Sequence, residues 1–179
     1  MKIKTIFIAL LIGLFVINGC ESSKVQKTQN TANINLPKDI PSSVTEEDFE
    51  RIDWTRTSIE YNTGERNDMA GNKNKLGIIG PEAKTNEVQK WMWHLWGVEK
   101  AELSIVGFNK ETKTVHQILF DRDTDNWYWT GKVKAMGAVN GADAHMLSNV
   151  KVPEPGKWAF LVYTDDKLFD ILVMDIQDK

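Results

Sequence analysis

From Trp54 onward the apolar positions fall in short runs, and turn residues separate one run from the next. Trp54 to Tyr61 is rich in Thr, Ile and Tyr and ends in Asn62-Thr63-Gly64. Leu76 to Ile79 closes on Gly80-Pro81, and Lys90 to Trp96 carries three tryptophans before Gly97. Ala101 to Phe108 sets Leu103, Ile105 and Gly107 against Ser104, Val106 and Phe108, the period-2 alternation of a strand. Val115–Phe120, Trp127–Val133, Trp158–Tyr163 and Phe169–Ile176 follow. About eight strands with no sustained helical period predict an all-β domain, an immunoglobulin-like sandwich of about 7–9 strands. Pro153-Glu154-Pro155-Gly156, then Trp158–Tyr163, then the turn Thr164–Lys167 and Leu168–Ile176 read as a closing hairpin. Upstream, Ser43-Val44-Thr45-Glu46 and the acidic run after it predict one short helix ending near Ile52.

The N-terminus has a different pattern. Met1-Lys2-Ile3-Lys4 is basic, and Ile6 to Ile17 is apolar except for Gly13. At ~1.5 Å per helical residue that run covers roughly 18 Å of a ~30 Å hydrocarbon core. It is too short to span, and basic, apolar and small-residue segments in that order predict an export signal over residues 1–19. Ile17-Asn18-Gly19-Cys20 resembles a lipobox, in which a small residue admits the scissile bond and the cysteine accepts lipid. Cys20 is the expected lipidation site, and two or three acyl chains at ~0.8 kcal/mol per buried CH₂ hold a protein on a membrane. Residues 20–43, rich in Ser, Lys, Gln, Asn and Thr, read as the lipidated cysteine and a flexible linker. Residues 44–179 are then the folded domain.

Composition narrows the chemistry. Cys20 is the only cysteine, so the domain has no disulfide, no thiolate nucleophile and no cysteine-ligated metal. The net charge is −3, or −5 once Lys2 and Lys4 leave with the signal, and no basic patch appears; nucleic acid is not an expected partner. Asp121 to Asn126 starts like a calcium loop but has Asn126 at the sharp-turn glycine and Lys132 at the bidentate glutamate. Ser148-Asn149-Val150-Lys151 spells S-x-x-K, a pattern that needs a helix turn, whereas the flanking valines favour a strand. No catalytic set assembles and no cofactor is implied, so the chain is not expected to be an enzyme.

Two constellations remain. Seven tryptophans could form a sugar-stacking platform or pin a disulfide-free core, and the core reading is preferred. His94, His116 and His145, with Met92 and Met146 beside two of them, suggest a copper-type site in which Asp143 could orient or ligate. The candidate ligand-binding residues are Trp93, His94, Asp143 and His145.

Lys90-Trp91-Met92-Trp93-His94-Leu95-Trp96-Gly97, Gly141-Ala142-Asp143-Ala144-His145-Met146-Leu147-Ser148 and Val152-Pro153 through Trp158 together resemble motifs of small uncharacterised lipoproteins from Bacillus-type bacteria. The resemblance covers roughly residues 54–176. It implies an immunoglobulin-like sandwich and supplies no activity. The expected role is a membrane-anchored extracytoplasmic binding module for an envelope protein or polymer, with a His/Met/Asp copper-handling role as the alternative.

Overall fold

In the computed structural model the described residues are 34–80 and 82–179. The export signal expected at 1–19 and the lipidation site Cys20 lie outside them. Among the described residues no helix is long and apolar enough to cross a membrane.

Among the described residues one short helix, α1 (Glu46–Glu50), precedes thirteen strands. Its N-cap is Thr45, two residues beyond the Ser43 that opens the expected signal. The Thr45 N–H and hydroxyl both donate to Asp48 Oδ2, at 3.0 and 3.1 Å, which satisfies a donor at the helix start. The strands are β1 (Ile59–Tyr61), β2 (Met69–Asn72), β3 (Leu76–Ile79), β4 (Gln89–Leu95), β5 (Lys100–Ala101), β6 (Leu103–Asn109) and β7 (Val115–Gln117). They continue with β8 (Leu119–Asp121), β9 (Asn126–Tyr128), β10 (Ala135–Met136), β11 (Ala144–Val150), β12 (Gly156–Thr164) and β13 (Lys167–Ile176).

Two antiparallel sheets form. The larger runs β1-β2-β3-β4-β11-β10-β5, with the β8–β9 hairpin joining at β11, and the smaller runs β13-β12-β6-β7. The expected all-β sandwich is what the chain builds. Its strands exceed the expected eight because several are two- or three-residue pieces. The closing hairpin is β12–β13, whose turn residues Asp165 and Asp166 both have positive φ (45° and 62°), the twist a two-residue hairpin turn requires.

The main core lies between the sheets. Trp91, Trp93 and Leu95 from β4 meet Leu103, Ile105, Phe160 and Leu172 from the smaller sheet. Trp91 packs edge-on against Phe160 with ring centroids 5.6 Å apart. The smaller sheet is buried on its other side as well, where Val106, Phe108, Leu161 and Tyr163 pack against Val44, Phe49 and Ile52. All seven residues of β6 are therefore buried.

That third layer moves the domain boundary. Ile34, Leu36 and Ile40, assigned to the linker by their polar surroundings, pack against this second cluster. Asp39 accepts hydrogen bonds from Trp129 Nε1 and Gln117 Nε2, each at 3.1 Å. Residues 34–43 belong to the fold. Composition hid them, because three apolar side chains and one carboxylate suffice when the partner surface lies far along the chain.

Candidate functional site

The outer face of the larger sheet is where polar and apolar side chains gather away from the core. On β4, Trp91, Trp93 and Leu95 point inward, so Lys90, Met92 and His94 point outward. The β4–β11 register opposes His145 to His94, Leu147 to Met92 and Asn149 to Lys90. Across β10–β11, Met136 opposes His145, and across β3–β4, Gly77 opposes His94. One row of the outer face thus reads Met136, His145, His94, Gly77. Tyr61 and Met69 lie over Gly77, at the point where a side chain at residue 77 would stand.

His94 is fully buried even though it faces outward. Its cover is a tight hairpin in which Val139 and Ala142 exchange backbone hydrogen bonds of 3.1 and 2.9 Å around Asn140-Gly141. Both central residues have positive φ (52° and 81°), the conformation for which Asn-Gly is best suited. The glycine-rich stretch 137–141 therefore does more than bend the chain. Asn140 Nδ2 lies 2.9 Å from His94 Nε2, Gly141 O accepts from Trp96 Nε1 at 2.6 Å, and Gly137 O lies 2.9 Å from His145 Nδ1. His94 Nδ1 is 3.2 Å from the Met92 carbonyl. One neutral tautomer satisfies both His94 contacts, with Nδ1–H donating to Met92 O and Nε2 accepting from Asn140. Burial, with the charges of His145 and Arg66, pushes the His94 pKa down to about 4.

Of the four predicted contact residues, the structure brings His94 and His145 together and separates the other two from them. Trp93 is in the sandwich core, its Nε1–H donating to buried Ser148 Oγ at 2.8 Å, so it cannot touch a ligand. Asp143 Oδ2 accepts the Gly97 N–H at 2.6 Å and so holds the turn after β4. Met146 also faces the core, against Gly131, whereas Met92 and Met136 face outward and Met69 is buried on the outer face over Gly77. His116 lies on β7 in the other sheet, edge-on to Trp127. Among the described residues, no three His, Cys, Asp or Glu side chains converge.

The other motifs resolve as structure. Trp91, Trp93, Trp129 and Trp158 are buried and Trp54, Trp96 and Trp127 are half-buried, so the tryptophans serve chiefly as core and no pair of them stands exposed. Asp121 accepts from Asp123 N and Thr124 Oγ1 within the β8–β9 turn and pairs with Lys132, the residue that broke the calcium pattern. Those contacts, Lys132 foremost, hold its pKa down at about 2. Ser148 lies in the core and Lys151 covers the Phe120 and Trp127 rings, so the S-x-x-K pair never meets.

Two shallow clefts open on the outer face. One, of about 290 Å³, lies among Arg66, Ile79, Lys90, Met92, Asn140 and Leu147. The second, of about 280 Å³, shares Lys90 and Leu147 with it and extends to Tyr128, Lys132 and Val133. Leu147, which lines both clefts, and Val133, which lines the second, are 47% and 59% exposed.

Comparison with known proteins agrees with this architecture. A family model described as a domain of unknown function, DUF4871, matches residues 44–174. No curated protein matches the chain. A solved structure described as "a Putative Lipoprotein from Bacillus anthracis" superposes with a TM-score of 0.65 at 17% identity, covering 81% of this chain and 99% of that one.

Proposed function

The chain belongs to the DUF4871 family, and from that premise we propose that it is a lipid-anchored, extracytoplasmic binding module that engages an envelope protein or polymer. The contact surface is the outer face of the larger sheet. The observation that carries this reading is the pair of clefts meeting at Lys90 and Leu147, where an exposed cation stands beside exposed apolar side chains. Surfaces of that composition suit a partner with both anionic and apolar groups. A role in recognition rather than catalysis is supported by how the polar side chains are used. Asp121, Asp143 and Ser148 each hold a turn or a core indole.

Anchoring rests on the lipobox-like Ile17–Cys20 and on the description of the Bacillus anthracis structure as "a Putative Lipoprotein". A Cys20→Ser chain should lose incorporation of labelled fatty acid and leave the membrane fraction; unchanged fractionation would refute the anchor. For recognition, the tagged full chain should recover an envelope component from extract, and Lys90→Glu with Leu147→Asp should release it. Recovery of nothing, or equal recovery by the double variant, would refute the contact face.

A further inference from the structure

The row Met136–His145–His94 borders the proposed contact face, sharing Met92 and Asn140 with one of its clefts, and its two histidines hold an arrangement that partner recognition does not call upon. Directly opposed residues on an antiparallel ladder hold their Cβ atoms about 4.5–5.5 Å apart, and both His145–His94 and Met136–His145 are such pairs. Met92 lies on the same face two residues before His94. Its sulfur is 3.9 Å from Asn140 Nδ2, and the same amide nitrogen is 2.9 Å from His94 Nε2. A thioether and an imidazole nitrogen therefore converge on one point, which the Asn140 amide occupies.

The two histidines share one hydrogen-bonding pattern at Nδ1. His94 Nδ1 donates to the Met92 carbonyl and His145 Nδ1 to the Gly137 carbonyl. Each bond puts the proton on Nδ1 and leaves the lone pair on Nε2, which is how metal-binding imidazoles are held. Nearby Asp143 is committed to Gly97 N–H, so no carboxylate joins the set. What remains is neutral nitrogen and thioether sulfur.

We propose that His94 Nε2, His145 Nε2 and Met92 Sδ bind a Cu(I) ion, with Met136 Sδ as the fourth ligand from β10. Soft thioether donors with imidazole select Cu(I) over harder divalent ions. With an uncharged ligand set and the Arg66 and Lys90 cations lining the cleft beside Met92, a singly charged ion is penalised less than a doubly charged one. Three of the ligands sit on β4 and β11, which pair along seven residues, so their backbones are fixed side by side before the ion arrives. The entering ion displaces the Asn140 amide from the point it shares with His94 and Met92. No electron transfer is part of the assignment. It shares Met92 and Asn140 with the proposed contact cleft, but the two readings fail separately, because chelator competition reads copper alone and recovery from envelope extract reads the partner alone.

The test is competition against a chromophoric Cu(I) chelator under ascorbate, using the full chain in detergent with Cys20→Ser so that no thiol binds the ion. One equivalent of Cu(I) should be withdrawn, and X-ray absorption should show both nitrogen and sulfur neighbours. His145→Ala and Met92→Leu should each weaken binding about tenfold or more, taking the scale of loss seen when a site's supporting groups are removed. His116→Ala, on the other sheet, should leave it unchanged. Met92→Leu keeps shape and apolarity, so its loss cannot be attributed to unfolding. No copper withdrawn, binding undiminished in both variants, or Zn(II) held more tightly than Cu(I) would each overturn the site.

Discussion

Two buried tyrosines show how the same side chain acts in opposite ways. The Tyr163 hydroxyl donates to Asp48 Oδ2 at 3.1 Å and ties the smaller sheet to the start of α1. The Tyr61 hydroxyl is buried over Gly77 with no hydrogen-bond partner. Removing a bonded hydroxyl beside a carboxylate costs about 1–3 kcal/mol, whereas removing one that has no partner costs nothing or stabilises. Urea denaturation should therefore place Tyr163→Phe well below the parent and Tyr61→Phe level with it or above. The two also set the alkaline limit. Burial, assisted by Asp170, pushes the Tyr61 pKa up to about 12, and burial and Asp48 raise that of Tyr163 further. An unfolded phenol ionises near ~10. The folded state thus holds protons that the unfolded chain releases, and stability falls as pH rises past that value. For Tyr61 the decline continues to about 12; Tyr61→Phe should flatten that part of a stability–pH curve, and an unchanged slope would contradict the assignment. At this scale the sequence was informative about type and silent about direction. That tryptophans would fill the core followed from the lack of disulfides. That Met92 faces out and Met146 faces in depended on register, which no single residue reveals.

Strands whose own residues favour extended structure were legible, and those that borrow it from a neighbour were not. β4, β6, β12 and β13 are rich in aromatic and β-branched residues and stand where alternation put them. β11 reads Ala-His-Met-Leu-Ser-Asn-Val, with only its last residue β-branched, yet it lies at the middle of the larger sheet. Seven residues of pairing with β4 impose the conformation. One local signal did announce it. Asn140-Gly141, two residues between Val139 and Ala142, is the strongest short hairpin cue, and it introduces β11. Reading it as a hairpin would have opposed Met136 to His145. The outward packing of the sheet makes a further prediction. A methyl added at Gly77 would collide with the Tyr61 hydroxyl and come within 2.7 Å of the Met69 side chain. Both are buried, so neither can swing into solvent. Gly77→Ala should cost about 1–3 kcal/mol through overpacking. Because Trp96 stacks near Tyr61, with centroids 6.3 Å apart, its fluorescence should shift as well. A variant as stable as the parent would mean that β1 and β2 do not close over β3 as described.

At the scale of the molecule, the smaller sheet is stable only if both its faces are covered. Its inner face meets the larger sheet, and its outer face would present Val106, Phe108, Leu161 and Val173 to water without the segment before β1. That exposed area is large enough to destabilise the fold or recruit another apolar surface. The cover comes in two parts. Val44, Phe49 and Ile52 lie within the family match that begins at residue 44, and Ile34, Leu36 and Ile40 lie before it. The assignment of 34–43 to the fold is tested by deleting those ten residues from the full chain. Each partly buried aliphatic side chain contributes less than the ~1.5–3 kcal/mol of full burial. With three of them lost, and the Trp129 indole deprived of Asp39, the deletion should lower stability by about 2–4 kcal/mol. Asp39→Ala alone should account for about 1 kcal/mol of this, the size of one hydrogen bond. A flexible linker could be shortened at no cost to stability. Equal urea midpoints for the deletion and the parent would therefore return these residues to the linker, and a large loss would confirm that the sandwich has a third layer.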